Sequence, residues 1–144
     1  RVKIDQLYFK ATGGGLTFGG GEPLLNAEFI FEIMELGAKE WHTTIETSLN
    51  VPIGKWGCLI DYVDEYIVDV KDMNPTIYKS YTGCDNEVVI SNLKELQRQG
   101  LSGKILLRLP LIHEYNEEND RMRSRHELEE IGFSRFNELK YKIL

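Results

Sequence analysis

The chain has 144 residues, 42% of them hydrophobic and 28% charged, with a formal net charge of −6. That length suits one domain spanning residues 1–144, which buries about 68–70% of the unfolded surface, and the balance is that of a globular protein rather than a disordered or fibrous one. The acidic charge argues against a nucleic-acid surface, no apolar run approaches the roughly 18 residues of a membrane span, and the N-terminus lacks the order of a signal peptide.

A cytoplasmic protein with neither nucleic acid nor membrane as partner is therefore expected. The chain opens on Arg1 and stops at Leu144 in an apolar stretch, so it reads as an internal fragment. Short β-rich runs alternate with helical patterns at intervals of roughly 25–35 residues, the spacing of βα units in a parallel sheet. Strands are predicted at Leu16–Phe18, Thr43–Thr47, Tyr66–Val70, Ile105–Leu109 and Glu138–Ile143. After the first strand, Leu25, Phe29, Ile33 and Leu36 recur at helical period, with Pro23 in the first turn and Gly37 at the end.

Cys58 and Cys84 are too far apart for a CxxC motif and read as small buried hydrophobes. Further on, Val89, Leu93 and Leu96 mark a helix that Gly100 ends, and the charged stretch from Glu114 to Glu130 reads as a solvated loop leading into an exposed helix. The continuous apolar runs Tyr66-Ile67-Val68 and Ile105-Leu106-Leu107 suggest strands covered on both faces. The fold class is α/β with a parallel sheet.

Ligands of such sheets sit at the carboxyl ends of the strands. Those ends carry Gly19-Gly20-Gly21-Glu22-Pro23, Glu46-Thr47-Ser48, Asp69-Val70-Lys71 and Arg108. The three glycines leave backbone groups open to a ligand, or simply make a tight turn, and their spacing is not that of the dinucleotide fingerprint. Asp69 and Lys71 are two apart and share a face, offering an acceptor and a donor to a zwitterion or else pairing with each other. Arg108 lies among leucines and must be paired or reach into a cleft. Glu46 and Thr47 supply oxygens suited to a hard cation or a ribose. His42 borders a strand, His113 and His126 lie in charged surroundings, and none has a metal-ligand partner at convincing spacing, so no metal site is expected.

In their order along the chain these pieces resemble one family. The segment Gly13-Gly14-Gly15-Leu16-Thr17-Phe18-Gly19-Gly20-Gly21-Glu22-Pro23-Leu24-Leu25 resembles the GGGVTFSGGEPLLQ stretch of pyruvate formate-lyase activating enzymes, which are radical S-adenosylmethionine enzymes that activate glycyl-radical enzymes. Glu46-Thr47-Ser48 resembles the family's D/E-T-S/N, Asp69-Val70-Lys71 its D-L/I-K, Tyr81-Thr82-Gly83 its L/Y-T-G, and Arg108-Leu109-Pro110-Leu111-Ile112 its R-x-P-L-I.

The resemblance implies a partial (β/α) barrel of parallel strands, here missing its first strand. It implies that Gly20, Gly21 and Glu22 line the site for the methionine amino group of S-adenosylmethionine. Asp69, Val70 and Lys71 would complete that end, with Glu46 and Thr47 close by, beside a monovalent cation. Arg108, as a catalytic residue, would face the cofactor carboxylate or the substrate's glycine loop. In this anaerobic chemistry an electron from a four-iron four-sulfur cluster cleaves S-adenosylmethionine, and the deoxyadenosyl radical takes hydrogen from a glycine of the partner enzyme. The resemblance also implies an electron donor such as a flavodoxin or a ferredoxin. The family's CxxxCxxC cluster motif is absent, so the cluster belongs to the full-length protein and this chain alone is expected to be inactive. Where relatives carry P-G-x-N-D after R-x-P-L-I, this chain has His113-Glu114-Tyr115-Asn116-Glu117. The competing readings are a cysteine-less, non-catalytic module that binds a nucleoside or a protein loop, and an anion-binding barrel.

Overall fold

The computed structural model describes residues 5–35 and 40–141. Five strands, β1 (Gly15–Phe18), β2 (His42–Thr47), β3 (Glu65–Asp69), β4 (Ile105–Leu111) and β5 (Phe136–Lys140), form one sheet in chain order. Every neighbouring pair is parallel. The helices are α1 (Gln6–Thr12), α2 (Ala27–Glu35), α3 (Pro75–Thr82), α4 (Glu87–Arg98) and α5 (Glu118–Ile131). Parallel crossovers are right-handed, so a sheet wound in one direction receives its connecting helices on one face. This is the wall of a partial (β/α) barrel.

That winding corrects the expectation of strands covered on both faces. Tyr66 and Val68 of β3, and Ile105 and Leu107 of β4, are buried, whereas the alternating Ile67, Asp69, Leu106 and Arg108 are only half-buried. The first set packs under the helices and the second lines the inner side of the wall. Isoleucine and leucine at those inner positions are what make the runs read as continuous.

The buried core joins Leu24, Ile30 and Met34 to Ile45, Trp56, Tyr66, Leu93 and Leu96. Side chains of this kind contribute roughly 1.5–3 kcal/mol each when fully buried. The helix bearing Val89, Leu93 and Leu96 is present with that face inward, and Gly100 follows it in the left-handed region at φ 75°. The apolar face expected after Pro23 is not the observed one. Leu25 and Phe29 are 65% and 63% exposed, and Leu24, Ala27, Ile30 and Met34 face the core instead. Pro23–Asn26 form a 3-10 turn before α2. Three residues per turn there rather than 3.6 shift the phase at which the helix enters. Ile33 is half-buried, while Leu36 and Gly37 lie outside the described residues.

The cysteines are also not as expected, because both thiols are free and exposed. Cys58 lies in a short turn whose neighbours Trp56 and Leu59 take the core positions, and Cys84 follows the glycine that ends α3. The charged stretch does form an exposed helix, α5, whose buried residues are Ser124 and Leu128. The last strand starts at Phe136, two residues earlier than predicted, and Ile143 lies outside the described residues. Among the described residues no helix is long and apolar enough to cross a membrane.

The glycine run ahead of β1 has a packing reason. Gly15 pairs with His42 at the start of the β1–β2 ladder, and a Cβ built there would sit 1.9 Å from the His42 carbonyl oxygen. Any larger residue at this position must push the two strands apart.

Candidate functional site

A cavity of about 280 Å³ opens at the carboxyl ends of the strands. Gly20 and Gly21 line it from the turn after β1, Glu46 and Thr47 from β2, Asp69 and Lys71 from β3 and just beyond it, and Arg108 from β4. Register explains why they converge. Glu46 is opposite Ile67, Asp69 is opposite Arg108, and Ile67 and Asp69 are two apart on one face. The motif order in the chain thus becomes a row of side chains along one rim.

The glycine turn is shaped by φ values of 82° at Gly20 and 61° at Gly21, a region that side chains with a Cβ rarely occupy. No atom lies within 4 Å of where a Cβ would point at either residue. Glu22 is not among the cavity-lining residues. Its Oε1 accepts hydrogen bonds from the Leu24 N–H at 3.2 Å and the Thr47 hydroxyl at 2.6 Å. Its Oε2 accepts from the Ser48 N–H at 2.9 Å and the Ser48 hydroxyl at 2.5 Å. The carboxylate therefore locks the glycine turn onto the end of β2. Val70 is likewise not in the lining: it is buried in the core, and its N–H donates to the Arg108 carbonyl at 3.0 Å.

Arg108 pairs with Glu46 over the intervening strand. Lys71 Nζ donates to Asp69 Oδ2 at 3.1 Å and to the Tyr141 hydroxyl at 2.5 Å, and that hydroxyl donates onward to Asp69 Oδ2 at 3.3 Å. Burial by itself would lower the Lys71 pKa, but the hydrogen bond to Tyr141 and the charge of Asp69 outweigh it and hold the ammonium above its ordinary value. Burial pushes the Tyr141 phenol up. The other oxygen of Asp69, Oδ1, is buried and has no hydrogen-bond partner among the described residues.

The loop after β4 supports the same rim. Asn116 accepts from the Ile112 N–H at 2.7 Å and donates to the carbonyls of Lys71 at 3.3 Å and Pro110 at 3.2 Å and to Asp72 Oδ2 at 3.1 Å. It ties the segment bearing Lys71 to the end of the strand bearing Arg108. Glu114 has φ 70°, the conformation that suits the glycine of the relatives' P-G-x-N-D. Within His113-Glu114-Tyr115-Asn116-Glu117 the left-handed residue is thus Glu114, and the residue that makes the loop's side-chain contacts is Asn116. Of the histidines, His42 opens β2, and His113 and His126 are exposed beside Glu114 and Glu130. Among the described residues no group of three His, Cys, Asp or Glu is placed to hold a metal ion.

Three residues at the site had been given no role from the sequence, Ser48 among them although it stands in the Glu46-Thr47-Ser48 strand end. Ser48 and Ile67 line the cavity, and Ile67 was reachable from the period of two that relates it to Asp69. Tyr141 had no signal, since it follows β5 without a motif and meets Lys71 only through the fold.

The model of the radical SAM superfamily, named for S-adenosylmethionine, matches residues 3–124. The chain belongs to the radical SAM superfamily. Within it, the relatives of this chain include activating enzymes, the kind the motifs resemble. This radical SAM chain is 34% identical over 156 residues to the (2S)-3-sulfopropanediol dehydratase activating enzyme of Klebsiella oxytoca, covering 99% of this chain and 49% of that protein. It is 32% identical over 120 residues to the 4-hydroxyphenylacetate decarboxylase activating enzyme of Clostridioides difficile strain 630, covering 83% and 38%. The chain spans about half the length of the first of these curated relatives or less of the second. Its fold is similar to a domain of pyruvate-formate lyase-activating enzyme from Bacteroides vulgatus, with a TM-score of 0.60, 18% identity, and coverage of 87% of this chain and 98% of that one.

Proposed function

We propose that this chain holds S-adenosylmethionine for a glycyl-radical-enzyme activase, with the methionine end of the cofactor between the glycine turn and the Asp69–Lys71 pair. The observation that carries the reading is Asp69 Oδ1, a buried carboxylate oxygen with no partner among the described residues, at a cavity that also presents Lys71 and Arg108. An α-ammonium donates to that oxygen once the carboxylate turns it toward the cavity, and an α-carboxylate accepts from the lysine or the guanidinium. The empty space in front of Gly20 and Gly21 lets their backbone groups approach the same ligand. These features fit a zwitterion.

In this reading Gly20, Gly21, Asp69 and Lys71 bind the amino-acid end directly. Glu46 and Thr47 stand beside it, and the Glu46 carboxylate orients Arg108. Glu22 and Val70 act from behind, one by fixing the glycine turn and the other by anchoring the end of β3. When bound, S-adenosylmethionine supplies the sulfonium whose one-electron cleavage leads to removal of a hydrogen atom from a glycine of the partner enzyme. The residues present do not fit the four-iron four-sulfur cluster that provides the electron, since the chain has two cysteines and both described thiols are exposed and free. The part of this chain is to bind the cofactor, orient it and exclude water. A glycyl-radical enzyme as substrate, and a flavodoxin or ferredoxin as electron donor, complete the proposal.

The test is calorimetric titration with S-adenosylmethionine. Saturable binding is expected, weakened about tenfold or more by Asp69→Asn and by Lys71→Met, as for lost hydrogen bonds to charged groups. Absence of binding, or indifference to both substitutions, sinks the reading. Anaerobic reconstitution with iron and sulfide is expected to give this chain no stable cubane absorption. Binding by the full-length protein without cleavage after the same treatment would favour a non-catalytic nucleoside-binding module.

A further inference from the structure

Lys71 and Asp69 are two residues apart with opposite charges, and nothing in that spacing prevents them from neutralising each other. A lysine ammonium free to slide over a neighbouring carboxylate engages both oxygens and leaves a ligand neither acceptor nor donor. Here it does not. Lys71 Nζ touches Oδ2 only, and Oδ1 is left without a partner among the described residues. Oδ1 is buried, and the tyrosine after β5 meets the ammonium on the Oδ2 side.

Tyr141 is held by the sheet, its N–H donating to the Leu111 carbonyl at 3.0 Å where β4 ends. From there its hydroxyl accepts from Lys71 Nζ at 2.5 Å and donates to Asp69 Oδ2 at 3.3 Å, closing a three-membered ring of hydrogen bonds. Two of the three ammonium protons are thereby assigned, one to the phenol and one to Oδ2, and the third remains for a ligand.

We infer that Tyr141 is a positioning residue that fixes the Lys71 ammonium beside Asp69 Oδ2, so that one ammonium proton faces the carboxylate of an amino-acid zwitterion. This rests on the S-adenosylmethionine reading of the cavity and names the element that makes the site selective for the amino-acid end of its ligand. Without the hydroxyl, the Lys71 ammonium is held by Asp69 Oδ2 alone and turns its free proton away from the ligand.

The experiment uses the full-length protein as wild type, Tyr141→Phe, Lys71→Met and the double variant, titrated with S-adenosylhomocysteine and with 5′-methylthioadenosine. The second probe keeps the nucleoside and lacks the amino acid. Tyr141→Phe is expected to weaken S-adenosylhomocysteine roughly tenfold, the scale of a hydrogen bond to a charged group. It should leave 5′-methylthioadenosine unchanged, and the loss should vanish in the Lys71→Met background. Equal loss for both probes overturns the inference in favour of a general structural role, as does a loss that persists without Lys71. Undiminished S-adenosylhomocysteine binding by Tyr141→Phe also overturns it. If the wild type binds both probes equally, a nucleoside site stands and the positioning role falls. If it binds neither, both readings fall.

Discussion

Arg108 of β4 reaches the Glu46 carboxylate of β2 across the face of β3, so that an ion pair spans the strand whose Ile67 lies beneath it. Both side chains keep contact with water, at 29% and 37% exposure. A pair so placed contributes at most about 1 kcal/mol to stability, which points to a use in the cavity. Arg108→Leu is expected to change the urea unfolding free energy by no more than about 1 kcal/mol. It should weaken S-adenosylmethionine roughly tenfold, as for loss of a charge-assisted contact. A large stability loss with unchanged affinity would assign the pair to the fold alone.

Glu22 is expected to behave oppositely. Its carboxylate accepts from Leu24, Thr47 and Ser48, and removing it strands half-buried donors in two segments. Glu22→Ala should cost about 2–3 kcal/mol in chemical denaturation and Glu22→Gln about 1 kcal/mol, since an amide retains one acceptor oxygen. Equal small effects for both would show that the two segments hold together without the carboxylate.

Glu114 holds a left-handed backbone at φ 70° and is exposed. A non-glycine residue there costs about 1–2 kcal/mol of strain, offset in part by the greater entropy glycine brings to the unfolded chain. Glu114→Gly is therefore expected to stabilise by about 0.5–1 kcal/mol, seen as a raised melting temperature. A lowered one would mean that the Glu114 side chain supports the loop in a way its backbone conformation does not reveal.

Tyr66 is fully buried, and its hydroxyl has no hydrogen-bond partner among the described residues. Burial, with smaller contributions from Asp61 and Cys58, raises its pKa far above the ordinary 10. An acid whose folded pKa is raised contributes full stability below its unfolded pKa and loses it as pH climbs above 10, where only the unfolded chain ionises freely. Tyr66→Phe should stabilise at neutral pH by about 1 kcal/mol, by removing an unsatisfied polar group, and should move the onset of alkaline unfolding to higher pH. An unchanged alkaline transition would mean that other groups govern it.

The five strands and the strand ends that line the cavity were legible in the linear chain because each depends on nearby residues. A βα unit announces itself through period and turn chemistry. A singly wound parallel sheet brings all its strand ends to one rim, so motifs far apart in sequence had one place to meet. The inward helix face of α4 was legible for the same reason: Val89, Leu93 and Leu96 have no competing apolar stripe. On α2 the adjacent Leu24 and Leu25 offered two stripes, and the 3-10 turn after Pro23 selected the one that the spacing disfavoured.

Tertiary structure decided how the rim residues divide their work. Glu22 turns onto Thr47 and Ser48, Val70 turns into the core, and Arg108 leans over β3 to Glu46. Each choice follows from strand register and pleat, which are properties of pairs of segments rather than of either segment alone. Tyr141 is the clearest case. Seventy residues separate it from Lys71, and only the ladder that fixes its backbone against β4 sets its hydroxyl beside the ammonium. Local sequence carries the periods and turns that build each unit, whereas a hydrogen bond between distant side chains exists only once the sheet has closed the chain between them.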